Sequence, residues 1–205
     1  MLIHRLNSGS QDSLKSHRAV AYLYCDYQDQ KAQTTINLLG SLAQQLALQA
    51  DSIPAEAWLL YRRHDRGAST PTVDEFVQLL AHLLSARNFS RSFIVVDGLD
   101  ELRNEHKVEL VEALLHVQEN ITSKVNSGTQ FSLYLSSRED LSIQLRIRKF
   151  NNVRLSFEAN HYDLEFYVRS KILDLFNFKA ARRVQEDSLL AAMIVDTIVG
   201  KAAGM

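Results

Sequence analysis

The chain lacks several features that would place it in common classes of protein. It has a single cysteine, Cys25, among 205 residues, so an internal disulfide is excluded, and we expect a reducing compartment, the cytoplasm. The longest apolar run near the C-terminus, residues 189–195, ends at Asp196 and is too short to span a membrane. The first ten residues lack the apolar segment of a signal peptide. We therefore expect no membrane partner.

The chain also has little proline and almost no net charge. Two prolines and seven glycines leave no stretch that is typical of a long disordered linker. The formal net charge is −1, so no general basic surface attracts a phosphate backbone, and nucleic acid is not an expected partner. A local basic cluster is formed by Arg146, Arg148 and Lys149. We interpret this cluster as the solvent-exposed end of a helix.

Motifs of several enzyme classes are missing. No two of the seven histidines lie three to five residues apart, which excludes zinc-finger and HExxH spacing. No GxSxG motif is present, so the nucleophile elbow of the α/β-hydrolases is excluded as well. Cys25 lies in a predicted apolar strand, which favours a buried structural cysteine over a nucleophile.

Apolar residues recur with strand-like and helix-like periods in alternation. Strands are predicted over 19–25, 92–97, 131–136 and 151–157. Helices are predicted over 33–50, after Pro54, from a capping box at Thr72 and Glu75, around 108–115, from Asn160 to Leu175 and over 185–199, with a polar loop over 62–72. This alternation predicts an α/β fold with a largely parallel sheet. The strand signal ends after residue 157, so we expect a helical segment from 158 onward.

Three carboxylates follow one predicted strand in the segment FIVVDGLDEL, residues 93–102. Ligands of open parallel sheets bind at the carboxyl ends of the strands. A carboxylate there holds Mg²⁺, usually through a retained water, and a second acid orients or deprotonates a water that attacks a phosphate. The pattern predicts that Asp97, Asp100 and Glu101 are catalytic in a nucleotide hydrolase, with Asp97 on the metal. The alternative is that Asp97 shapes the turn and Asp100 or Glu101 caps the next helix.

Four segments, in order from about residue 19 to the end, resemble one family. They are VAYLYCDYQDQKAQTTINLLGSLAQQL, FIVVDGLDEL, FSLYLSSRED and VRLSFEANHYDLEFYVRSKI. They resemble the NACHT-type signalling NTPases of the STAND class, and within them the nephrocystin-like N-terminal modules of fungal receptor proteins. The resemblance implies a Walker B motif at Asp97, Asp100 and Glu101, and a sensor-1 arginine that reads the γ-phosphate at Arg138. An ion pair of Arg138 with nearby acids is the alternative.

The resemblance also implies a sheet of the P-loop NTPase type, with strand order 5-1-4-3-2. The predicted strands at 19–25, 92–97, 131–136 and 151–157 would be strands 2 to 5. The first, central strand would then be missing, strands 2, 3 and 4 would pair in the order 4-3-2, and strand 5 would be detached or collapsed against strand 4. Residues 1–157 would form an incomplete NACHT nucleotide-binding core, and residues 158–205 the start of a helical domain.

The Walker A pattern, GxxxxGK followed by Ser or Thr, is absent. The only Gly-Lys pair is Gly200-Lys201, and Val195 and Ala202 stand where the pattern needs Gly and Ser or Thr. The complete family module would use Mg²⁺ and ATP or GTP, and we expect this chain to start after the phosphate loop and to bind neither. Its expected partners are the missing strand and loop, the helical or repeat domains of a longer protein, and a second copy. The alternative is a non-catalytic interaction or scaffold fragment from a truncated gene model.

Overall fold

The computed structural model describes residues 18–50, 52–85, 89–123, 130–156, 161–174 and 188–202. The chain divides into two compact units between residues 152 and 153, and each unit is described separately. The strands are β1 (Arg18–Tyr24), β2 (Arg91–Asp97) and β3 (Gln130–Leu135). The helices are α1 (Thr35–Ala47), α2 (Ala55–Arg63), α3 (Val73–Leu84), α4 (Asn104–Thr122), α5 (Leu141–Ile147), α6 (His161–Asp174) and α7 (Ser188–Ala202). Short 3₁₀ turns cover Tyr27–Asp29, Asp65–Gly67 and Leu99–Glu101.

The three strands form one parallel sheet in the order β1-β2-β3, with β2 in the centre. Tyr24 lies opposite Asp97, and Val96 lies opposite Leu135. The carboxyl ends of all three strands therefore meet at one end of the sheet. The α/β fold and the predicted order of these three strands are confirmed.

The strand predicted over 151–157 is wrong where the structure describes it, because residues 151–156 form neither helix nor strand. Val153 and Leu155 carried the apolar alternation, yet they are 87% and 71% exposed. A strand is stabilised by the neighbours it packs against, and this segment has no burial to supply that stabilisation. Residue 157 and residues 1–17 lie outside the described residues, so the absence of a first strand stays a prediction.

One face of the sheet packs against α1, α3 and α4 and forms the core of the first unit. The fully buried side chains recur at helical or alternating spacing, as a core face requires. They include Leu39, Leu42 and Leu46 of α1, Leu80 and Leu84 of α3, Ile94 and Val96 of β2, and Leu110, Leu114 and Val117 of α4. Helix α2 has no buried residue.

The outer edge of β1 is covered by two glutamine side chains. The N–H of Val20 donates to Gln49 Oε1 at 2.9 Å, and Gln49 Nε2 donates back to the Val20 carbonyl at 2.7 Å. Gln45 makes the same pair of bonds with Tyr22, at 3.0 and 2.9 Å. Gln45 lies in the last turn of α1, and Gln49 lies in the turn that follows the helix. Residues four apart along a helical turn lie about 6 Å from each other, close to the two-residue repeat of a strand. The spacing of the two glutamines therefore matches the edge that they bond.

The capping box predicted at Thr72 and Glu75 is confirmed. Glu75 also accepts a hydrogen bond from Arg63 at 3.3 Å and lies 2.9 Å from His64 Nε2. These contacts, with the Thr72 N–H first, hold the pKa of Glu75 at about 2. The polar loop predicted over 62–72 begins too early, because its first two residues end α2.

The second unit contains α6 and α7. Val168 of α6 and Val195 and Val199 of α7 are buried together, and Leu164 packs against them. Helices were predicted in both places, and they are confirmed over 161–174 and 188–202, while the predicted cap at Asn160 lies outside the described residues. None of the described helices has both the length and the hydropathy to cross a membrane.

Candidate functional site

Asp97 is the last residue of the central strand, and its exposed carboxylate stands at the carboxyl end of the sheet. Ser136, the first residue after β3, donates its hydroxyl to Asp97 Oδ1. The N–H of Gly98 donates to the same hydroxyl oxygen at 3.1 Å. The neighbouring strand thus fixes one oxygen of Asp97, and within the described residues no group bonds to Oδ2.

Gly98 makes the turn that follows Asp97. Its φ of +73° lies in the left-handed region, where a side chain is strained. A Cβ at this position would also stand 3.3 Å from the carbonyl oxygen of Cys25. The turn leads into Leu99–Glu101, and the buried Leu99 anchors it in the core. Glycine at position 98 therefore permits the tight turn that has Asp97 before it and Asp100 directly after it.

Asp100 is paired with Arg138. Asp100 Oδ1 accepts the backbone N–H of Arg138 at 3.1 Å, and Oδ2 lies 3.3 Å from Arg138 Nε. This ion pair is the alternative that the sequence left open for Arg138. The arginine side chain is 82% exposed, so the ion pair adds little to stability, and the role of Arg138 as a γ-phosphate sensor stays a prediction.

Glu101 turns toward the loop after β1. Its Oε2 accepts the N–H of Tyr27 at 3.1 Å, and its carbonyl accepts Gln30 Nε2 at 3.3 Å. Helix α4 starts after Arg103 without a side-chain cap. The alternative in which Asp100 or Glu101 caps this helix is therefore not what the structure shows.

Cys25 directly follows β1 and lies close to the carboxylates. Burial raises its pKa to about 11, and the charges of Asp97, Glu101 and Asp100 add to this effect. The thiol is therefore protonated at neutral pH, which disfavours a nucleophilic role. The assignment of Cys25 as a buried structural cysteine agrees with its exposure of 8%.

The structure brings all four predicted site residues to one end of the sheet, but they are not equally available. Asp100 is bonded to Arg138 through both of its oxygens, whereas Glu101 is bonded to Tyr27 through Oε2 alone. Among the described residues, Asp97 Oδ2 and Glu101 Oε1 therefore accept no hydrogen bond, and of the two residues only Asp97 stands at the end of the central strand. A single carboxylate that acts through water suits Mg²⁺, which keeps much of its hydration. In the part of the chain that the structure describes, no three His, Cys, Asp or Glu side chains are grouped to hold a metal directly.

Ser136 is the site residue that the sequence analysis missed. The signal was the segment SSRED, in which polar residues directly follow an apolar strand. Strand β3 lies next to β2 in the sheet, so the residue after it reaches the Asp97 carboxylate. The family resemblance assigns a role only to Arg138, two residues further along.

Comparison with known families identifies the chain. No curated protein and no solved structure matches it. A family model described as nephrocystin 3, N-terminal, matches residues 1–138 of the 205, a range that includes Asp97, Asp100, Glu101 and Arg138. The chain belongs to the nephrocystin 3 N-terminal family.

Proposed function

We propose that this chain carries the magnesium side of a nucleotide-dependent switch in a cytoplasmic signalling NTPase of the NACHT type, of the kind found in fungal receptor proteins. The observation that carries the proposal is the Asp97 carboxylate at the carboxyl end of the central strand, with Oδ1 held by Ser136 and Oδ2 free. This is the position at which parallel α/β sheets bind ligands. Bound Mg²⁺ would neutralise phosphate charge there.

The other charged residues of the site suit the two states of such a switch. The Arg138 guanidinium is exposed and bonded only to Asp100 among the described residues. A terminal phosphate attracts a guanidinium more strongly than one carboxylate does, because it carries more charge and more acceptor oxygens. Arg138 would leave Asp100 for a γ-phosphate, and Asp100 would be freed to accept a proton or orient a water.

The 205 residues contain no phosphate loop, so the anionic phosphates lack both the amide groups and the lysine that bind them in complete modules. We therefore propose that this chain alone binds ATP or GTP weakly and hydrolyses neither above background. Titration of the purified chain with labelled ATP and GTP in Mg²⁺ tests this statement. Micromolar affinity that is lost in Asp97→Ala would show that the chain holds nucleotide without the loop.

The metal position is tested without nucleotide, with Mn²⁺ as a paramagnetic substitute for Mg²⁺. We expect Mn²⁺ to broaden the amide resonances of Gly98 and Ser136 first, and we expect Asp97→Asn to remove this broadening. Glu109→Gln removes an exposed carboxylate elsewhere and is the control that should retain it. Equal broadening in Asp97→Asn and in the unchanged chain would contradict the assignment of Asp97.

If sequence upstream of Met1 supplies a phosphate loop, the role of Arg138 is tested in that longer chain. We expect Arg138→Ala to weaken the affinity for a nucleoside triphosphate much more than for a diphosphate, since a sensor contacts the terminal phosphate alone. An equal loss for both nucleotides would assign Arg138 to the ion pair with Asp100 only.

The second candidate function is that of a non-catalytic interaction or scaffold fragment. It is supported by the outer edge of β3, where the described residues offer no hydrogen-bond partner to the strand. In that case the chain self-associates or takes a strand from another chain. A sedimentation-velocity series over concentration separates the two candidates, because association that is unaffected by Asp97→Ala and by nucleotide favours the scaffold.

A further inference from the structure

The outer edge of β1 presents the N–H and C=O groups of alternate residues. The N–H of Cys25 donates to the Asp97 carbonyl at 2.9 Å, so the odd-numbered residues of β1 face β2. The even-numbered residues face outward, and they are Val20, Tyr22, Tyr24 and the adjoining Asp26. Each of these four residues needs one acceptor and one donor from outside the sheet.

Three of the four residues are satisfied in the same way, by the carboxamide of one glutamine. The amide oxygen accepts the backbone N–H, and the amide nitrogen donates to the carbonyl of the same residue. The pairs are Gln49 with Val20 (2.9 and 2.7 Å), Gln45 with Tyr22 (3.0 and 2.9 Å) and Gln33 with Asp26 (3.1 and 3.0 Å). The outer edge of β1 therefore binds a carboxamide group at three of these four residues.

Tyr24 is the exception. No side chain or backbone group of the described residues bonds to its N–H or C=O. The helical turn opposite carries Ser41, four residues before Gln45, and the serine hydroxyl makes no bond to Tyr24. That hydroxyl instead accepts from Gln45 Nε2 at 3.3 Å. A shallow cavity of about 400 Å³, largely open to solvent, lies here and is lined among others by Tyr24, Gln33, Asn37, Ser41 and Gln45.

We propose that this cavity is a binding site for a single carboxamide, the side chain of an asparagine or glutamine of a partner polypeptide. The occupant must offer one acceptor and one donor side by side, and the same strand edge binds that group on both sides of Tyr24. A carboxylate has no hydrogen for the Tyr24 carbonyl, and Asp29 in the cavity wall repels it. An ammonium group has no acceptor for the N–H.

An extended strand does not fit this place. A strand that pairs with Tyr24 must also pair with Tyr22 and Asp26, and glutamines already occupy both of them. The partner therefore reaches Tyr24 with one side chain. The rings of Tyr22 and Tyr24 lie 5.6 Å apart, and they are 38% and 60% exposed. They offer apolar surface next to the site, and tyrosine is enriched in protein interfaces.

The probe for this site is propionamide, which has the end group of the glutamine side chain. We expect it to shift the Tyr24 amide resonance saturably, whereas propionate and N,N-dimethylpropionamide produce no saturable shift because each lacks an N–H donor. Two variants sharpen the result. Ser41→Gln places a fourth carboxamide opposite Tyr24 and should abolish the response, and Ser41→Ala should retain it.

Hydrogen exchange supplies a second measurement that needs no probe. Ser41→Gln should slow exchange of the Tyr24 amide by about tenfold, in keeping with one added hydrogen bond, and Ser41→Ala should leave the rate unchanged. The proposal is overturned if propionamide acts no differently from propionate, or if Ser41→Gln neither slows exchange nor blocks the propionamide shift. Water alone would then occupy the cavity.

Discussion

The two edges of the sheet differ in how their outward-facing peptide groups are satisfied. Along β1, Gln45 and Gln49 each bond both polar groups of one residue. Along β3, the outward-facing residues are Phe131, Leu133 and Leu135, since Gln130 and Ser136 donate toward the β2 side. Within the described residues no strand or side chain bonds to the backbone of those three.

This difference determines at which edge the sheet is able to add another strand. A strand whose outward-facing N–H and C=O groups are already hydrogen-bonded cannot pair with a strand of another chain, whereas a strand with unbonded groups can. The side chains of Phe131, Leu133 and Leu135 are only half-buried and pack against the core, so a strand beside β3 would bury them further. The resemblance to P-loop NTPases places a strand there, and that strand stays a prediction.

Hydrogen exchange should show the largest contrast between the two edges. We expect the amides of Val20 and Tyr22 to exchange at least about 100-fold more slowly than those of Leu133 and Leu135, because only the first pair is hydrogen-bonded. Exchange measured by NMR at single residues gives both rates in one experiment. Strong protection of Leu133 and Leu135 would mean that a partner already covers the β3 edge.

Removal of the glutamines should make the β1 edge resemble the β3 edge. We expect Gln45→Ala with Gln49→Ala to lower the free energy of unfolding by about 2–4 kcal/mol, because four hydrogen bonds to the β1 edge are lost. The double variant should also associate at lower protein concentration, as seen by sedimentation velocity. Gln44→Ala removes an exposed glutamine of α1 and is the control, and equal effects in the two would mean that the loss does not come from the hydrogen bonds to the β1 edge.

On the β3 side, stability should depend on the ion pair between Lys107 of α4 and Asp140, which also caps α5 through Ser142. The bond from Lys107 and those from Ser142 hold the pKa of Asp140 well below its ordinary value. A lowered pKa stabilises the fold above the unfolded value, about 3.9, and this stabilisation is lost as the pH falls toward the folded value.

We therefore expect Asp140→Asn to lower the free energy of unfolding by about 1–3 kcal/mol at pH 7, and we expect the difference to shrink below about pH 4. Urea unfolding at several pH values measures it. Glu109→Gln, an exposed change on α4, should have little effect at any pH. A difference that persists unchanged at pH 2 would show that charge is not the cause.

The smallest effect is expected at Glu75, which starts α3 and touches neither edge. Glu75→Gln should lower the melting temperature modestly at neutral pH. The pKa of Glu75 is lowered to about 2, so its contribution is present above the unfolded value and is lost as the pH falls toward 2. Asp74→Asn is the matched control because it removes a charge from the same first turn. Faster exchange of the Val20 amide in Glu75→Gln would mean that α3 stabilises the hydrogen bonds between the glutamines and the outer edge of β1.

Local pattern was sufficient for much of the fold. The strands at 19–25, 92–97 and 131–136 were predicted from apolar runs, and each begins and ends within a residue or so of the observed strand. The same reasoning failed over 151–156, where a similar alternation stays exposed. The difference lies in the neighbours, since a strand pattern becomes a strand only where another strand and a packed face accept it.

The sequence by itself determined which residues stand at the carboxyl end of β2, because Asp97 directly follows an apolar run and Gly98 permits the turn. Only the tertiary structure decided what each polar side chain bonds. Ser136 meets Asp97 from 39 positions away, and Gln49 meets Val20 from 29. The period of the apolar residues shows on which face of a helix or strand a residue lies. The hydrogen-bond partner of a polar group depends instead on which elements pack side by side. That packing is set by burial of the apolar core.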